Sequence, residues 1–86
     1  MAIVQAPPAT LANALPGEYQ CESVWATGQN AIRLKRLGIC EGRWIEIVGR
    51  GDPMILRIGD SRIGLSRQLA SFVTVHENAS SPLADD

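Results

Sequence analysis

Ala31-Ile32-Arg33-Leu34-Lys35-Arg36-Leu37-Gly38-Ile39-Cys40-Glu41-Gly42-Arg43-Trp44-Ile45-Glu46-Ile47-Val48 is the stretch in which the period of the apolar residues changes. Up to Leu37 they recur every three residues, at Ala31, Leu34 and Leu37. That spacing predicts a short helix with one buried stripe and turns Arg33, Lys35 and Arg36 towards solvent. Thr27 or Asn30 is placed to cap its start. Gly38 is placed to end it in the left-handed conformation, with the cations of the last turn facing the negative end of the helix dipole. Beyond Gly42 the period becomes two. Ile45 and Ile47 share one face of a strand at 43–48, and Trp44, Glu46 and Val48 share the other.

Working outward, residues 18–25 alternate as a first strand with Glu22 outward. Met54, Leu56 and Ile58 alternate with Ile55 and Arg57, and Ile63 and Leu65 continue after them. Gly59-Asp60 has the composition of a two-residue hairpin with glycine first, as a type II′ turn requires. Ser66 caps a short helical turn reaching Ala70, Val73 and Val75 mark a last strand at 72–76, and residues 11–15 form a short turn of helix or an approach segment. The order predicts a mainly β fold. It is a small SH3-like β-barrel of about five antiparallel strands, with a short helix inserted after the first strand, and closure removes most exposed edges. Residues 1–10 are expected to be a flexible segment, 11–77 the domain and 78–86 a flexible acidic tail.

At 86 residues the chain is one domain. Hydrophobic residues make up 45%, dominated by aliphatics that suit half-buried strands. No apolar run approaches the roughly 20 residues of a spanning helix. The first eight residues lack the basic and apolar regions of a secretory signal, so a cytoplasmic location is expected. In that compartment Cys21 and Cys40 are expected to be reduced, partly buried thiols filling small apolar gaps. The net charge of −1 hides an asymmetry. All eight cations lie between 33 and 67, where four acids leave a local charge of +4.

Catalysis has little to work with. His76 is the only histidine, and no nucleophile can be placed beside a base. Cys21, Cys40 and His76 lack the short ligand spacings of zinc sites and are weak metal candidates. Gly49-Arg50-Gly51 is not a phosphate-binding loop, because no Gly-Lys-Ser or Gly-Lys-Thr follows. Arg50-Gly51-Asp52 is read as a turn, and the glycosylation pattern Asn78-Ala79-Ser80 needs an exported chain. Trp25 and Trp44 read first as core or barrel-cap residues. A Trp44 pointing outward beside Arg43 would instead be an interface anchor.

Leu15-Pro16-Gly17-Glu18, the run Arg33 to Gly42, Asp52-Pro53-Met54-Ile55-Leu56-Arg57-Ile58-Gly59, Arg62-Ile63-Gly64-Leu65-Ser66 and Phe72-Val73-Thr74-Val75 occur in that order. In this the chain resembles the FeoA family over roughly residues 11–76. The helix ending in Arg-Leu-x-x-Leu-Gly, followed by an apolar residue and a second glycine, is the most specific part. The loop before Asp52-Pro53 is shorter than is usual in the family, and Ser66 precedes Arg67 where Arg is common. The resemblance implies a small cytoplasmic SH3-like regulatory protein of bacterial ferrous iron uptake, which is not an enzyme. Its partner would be the FeoB membrane GTPase, and it would meet the membrane only through that partner. Similar domains close iron-dependent repressors. The residues assigned to partner binding are Arg33, Lys35, Arg36, Arg43 and Trp44, with Gly38, Gly42 and Gly59 as turn and cap positions. No cofactor is expected beyond a weak association with Fe2+. Self-association through Ile3, Val4 and Phe72 stays open. The alternatives are a nucleic-acid-binding small barrel, disfavoured by the absence of a basic stripe flanked by stacking residues, and a small ferrous iron carrier.

Overall fold

The alternation from Trp44 onward becomes strand β3 (Trp44–Gly49), with Ile45 and Ile47 buried and Trp44 and Val48 exposed. The computed structural model describes residues 9–77. Around β3 stand β1 (Ala9–Thr10), β2 (Gly17–Val24), β4 (Met54–Ile58), β5 (Ser61–Leu65) and β6 (Val73–Glu77). Helix α1 (Gly28–Arg36) lies between β2 and β3, and α2 (Arg67–Ala70) between β5 and β6. A 3-10 turn, Leu11–Asn13, follows β1. The six strands form one antiparallel sheet in the order β1-β6-β2-β3-β4-β5.

The sheet has six strands where about five were expected, the additional one arising because Ala9 and Thr10 pair with Val75 and Thr74. Those residues belong to the segment expected to be loose. Ile3, Val4 and the acidic tail lie outside the described residues.

The core is aliphatic. Leu11, Leu34, Met54, Leu56, Ala70 and Val73 are fully buried, and no polar or charged residue is buried among the described residues. Tyr19 is the one buried aromatic side chain, and its hydroxyl donates to the Leu15 carbonyl at 2.7 Å. The strands hold this core by the period-two rule: in β4, Met54, Leu56 and Ile58 are buried while Arg57 is exposed. In the β4–β5 hairpin Ile58 pairs with Ser61, so Gly59-Asp60 is the two-residue loop. Gly59 has φ +60° and Asp60 is not positive, which selects type II′ over type I′.

Helix α1 stops where its glycine allows. The Gly38 N–H donates to Lys35 O (2.9 Å) and the Ile39 N–H to Leu34 O (3.0 Å), with Gly38 at φ +90°. This is a Schellman ending, and its usual apolar contact is present because Leu34 and Ile39 are both buried. The chain then turns back to the sheet through Cys40-Glu41-Gly42-Arg43, closed by Arg43 N–H to Cys40 O at 3.0 Å. Gly42, at φ +86°, is the third residue of a type II turn and the first of a bulge against Cys21. It donates to Cys21 O while the Cys21 N–H donates to Arg43 O, both at 2.8 Å.

Candidate functional site

Helix α1 presents three cations and no acid. Leu34 is its one fully buried residue and Ala31 is half-buried, which fixes the helix's rotation against the sheet. Arg33, Lys35 and Arg36 are exposed, as expected. They do not form one face, however. Residues two apart on a helix point in opposed directions, whereas residues three or four apart are neighbours. Arg33 and Arg36 therefore join Gln29 and Ile32 around an open depression of about 260 Å³. Lys35 instead lines a separate notch of about 250 Å³ with Val24, Ala26, Ala31, Ile39, Cys40 and Glu41. Ile32, 54% exposed, is the residue the sequence reading missed. The available signal was that it falls off the 31/34/37 spacing and sits beside an arginine.

Arg43 and Trp44 come together at another place. Trp44 is 46% exposed on the outer face of β3, which overturns the core reading. Glu46 lies opposite Arg57 and is ion-paired with it. Gly59, in the β4–β5 turn, lines the same depression as Trp44. Glu18, Trp44, Ile45, Glu46, Arg57 and Gly59 line this depression of about 220 Å³. Arg43 reaches Gly59, with Nη2 3.4 Å from where a Cβ on that glycine would stand. No ion pair or hydrogen bond joins the α1 cations to Arg43 or Trp44 among the described residues. Trp25 is also not a core residue. It is 69% exposed at the end of β2, with its backbone N–H on Phe72 O at 2.7 Å. Phe72, expected to be exposed, is half-buried against the core.

The cysteines separate. Cys21 is buried and Cys40 exposed, both free, so only Cys21 fills an apolar gap. His76 lies on the outer face with Nε2 3.2 Å from Gln20 Oε1, while Cys21, beside it across the ladder, faces inward. No three His, Cys, Asp or Glu side chains gather to hold a metal among the described residues.

Burial pushes the Cys21 thiol up to about 11, with the negative neighbours Cys40, Glu41 and Glu22 adding to it. A raised folded value means that folded protein keeps a proton that unfolded protein loses. Stability from this group is therefore intact below pH about 9 and lost as pH rises towards about 11. A thiol reagent at pH 8 is expected to label Cys40 at once and Cys21 only as fast as the domain opens. Denaturation midpoints are expected to fall between pH 9 and 11, and less so in Cys21→Ala. Prompt labelling of both thiols in native protein would contradict this assignment.

The FeoA domain model matches residues 9–77. The fold superposes on the solution structure of iron(II) transport protein A from Clostridium thermocellum with a TM-score of 0.77 at 26% identity. That match covers 84% of this chain and 47% of the other, so the chain spans about half of that protein's length. FeoA from Stenotrophomonas maltophilia, solved with zinc and described as an SH3 domain protein, matches at 28% identity with a TM-score of 0.68. There 79% of this chain and 89% of the other are covered. The same fold occurs in ScaR, solved with bound Zn2+, with a TM-score of 0.74 at 24% identity over 87% of this chain and 39% of that one. Among proteins of curated function, none matches the sequence.

Proposed function

We propose that this chain, which belongs to the FeoA family, serves ferrous iron uptake by binding its transporter, a FeoB-type membrane GTPase, and not by catalysing a reaction. The family is one of SH3-like proteins associated with ferrous iron transport. The observation that carries the reading is the state of the charges on α1. Arg33, Lys35 and Arg36 are exposed, the helix has no acid, and the only ion pair among the described residues is Arg57–Glu46. Exposed Trp44 beside Arg43 adds an aromatic and a third guanidinium of the kind that anchors protein interfaces. Among the described residues no helix is long and apolar enough to cross a membrane. On this reading the chain meets the bilayer through its partner, on the cytoplasmic side. Regulation is through that contact. Among the described residues the side-chain hydrogen bond of His76 is to Gln20.

The test is capture from detergent-solubilised membranes. Tagged wild-type protein is expected to retain the GTPase, and an Arg33→Ala/Arg36→Ala variant to retain about tenfold less, as losing two charged contacts would give. A wild type that retains no membrane GTPase would refute the proposal. Equal retention by both proteins would remove the helix from the contact.

A further inference from the structure

We infer that the partner grips this chain by one stripe of α1, Gln29, Ile32, Arg33 and Arg36, and that the segment seated there is acidic with an apolar side chain covering Ile32. The inference rests on the proposed binding to a transporter and adds the patch and the chemistry of the contact. Spacings of three and four residues put these side chains in one row, and they surround the depression of about 260 Å³. A solvated helix whose cations face its negative end explains three basic residues in its last turn. It does not explain Ile32. A β-branched residue is a poor choice for an open helix position, where a polar straight chain would favour the helix more and cost less exposure. Here isoleucine is 54% exposed and shares the depression with two arginines.

The sign of the partner follows from what is missing. Neither Arg33 nor Arg36 has an ion-pair partner among the described residues, and α1 contributes no carboxylate. Two planar guanidinium forks about one turn apart present paired donors to carboxylates. An apolar side chain seated over Ile32 would exclude water from those pairs and raise their value. The other surfaces fit less well. Around Trp44 the charge is already balanced in part by Glu46 and Arg57, and Lys35 shares its notch with Glu41. An anionic lipid surface fits less well too, because the chain as a whole carries −1 and the basic stripe is only one helix turn wide.

The experiment measures affinity for the FeoB-type transporter of the same organism, purified in detergent, with melting curves confirming that each variant folds. Ile32→Asp is expected to weaken binding by about tenfold or more, as is Arg33→Ala/Arg36→Ala, while Ile32→Leu stays within about threefold. Arg62→Ala, an exposed cation on β5, serves as the charge control and is expected to bind as wild type. Wild-type affinity in Ile32→Asp would overturn the inference while leaving the transporter as partner. So would a loss confined to Trp44→Ala or Lys35→Ala. Wild type that ignores the transporter but sediments with vesicles of phosphatidylserine and phosphatidylcholine would assign the stripe to lipid. That outcome would overturn both the inference and the reading beneath it.

Discussion

Leu34→Ala is expected to destabilise the domain by about 3 kcal/mol, the middle of the range for truncating a fully buried leucine. Leu34 is 0% exposed and is the only residue of α1 that is fully buried. It also closes the helix, since its carbonyl accepts from Ile39 and its side chain lies in the same core as Ile39. In a domain of this size such a loss lowers the melting temperature by roughly 12–24 °C. Leu34→Met, which conserves volume, is expected to cost less than about 1.5 kcal/mol. Denaturant titrations followed by circular dichroism give both numbers. The functional consequence is local as well as global. A helix that no longer seats holds Ile32, Arg33 and Arg36 in the binding arrangement for a smaller share of the time, and apparent affinity falls by that share. Unchanged midpoints in Leu34→Ala would mean that α1 is not anchored to the core by this side chain.

The second large effect belongs to a residue that reads as an ordinary surface cation. The Arg67 guanidinium donates through Nη1 to Arg50 O at 2.8 Å and through Nη2 to Ala12 O. Its backbone N–H donates to Asp52 Oδ1 at 3.2 Å. One side chain therefore ties the N-terminal 3-10 turn to the β3–β4 loop, at the start of α2. Arg67→Ala is expected to cost about 2 kcal/mol, the value of hydrogen bonds from a charged donor with a partly buried carbonyl left unpaired, and to lower the melting temperature by roughly 8–16 °C. Arg67→Lys is expected to recover less than half, because a single ammonium on a flexible stem does not reproduce the guanidinium fork. Hydrogen exchange should quicken at residues 11–14 and 50–53 before it does so in β3. A melting temperature for Arg67→Ala within about 2 °C of wild type would show that these bonds carry no net stability.

Arg67 marks a boundary of what can be read from a chain. The strands and α1 were legible because their apolar residues keep period two or three, and Gly38, Gly42 and Gly59 because turns impose their own chemistry. A partner 55 positions away leaves no such trace, and the Ala12–Arg67 bond is of that kind. The same holds for β1, where Ala9 and Thr10 have no strand pattern and are ordered only by β6. The tryptophans were misread for a different reason. Hydrophobicity argues for burial, but aliphatic residues already fill this small core, and Trp25 and Trp44 are left outside it. Lys35 was separable from Arg33 and Arg36 by helical geometry alone. Treating three nearby charges as one face hid a distinction that the spacing contained.

The strand order has a consequence for how the chain acquires its shape. β3, β4 and β5 are joined by short connections, so that meander can pair from local contacts. β6, however, sits between β1 and β2 and comes last in chain order among the described strands. Its pairing links Ala9 to Val75 and Cys21 to Val75, closing loops that span most of the domain. Such non-local topology slows folding relative to a helical bundle of the same length. During synthesis the left half of the sheet cannot zip until Val73–Glu77 has left the ribosome. Until then β2 offers an unpaired edge, and the nascent domain is at its most exposed to wrong partners just before it is complete.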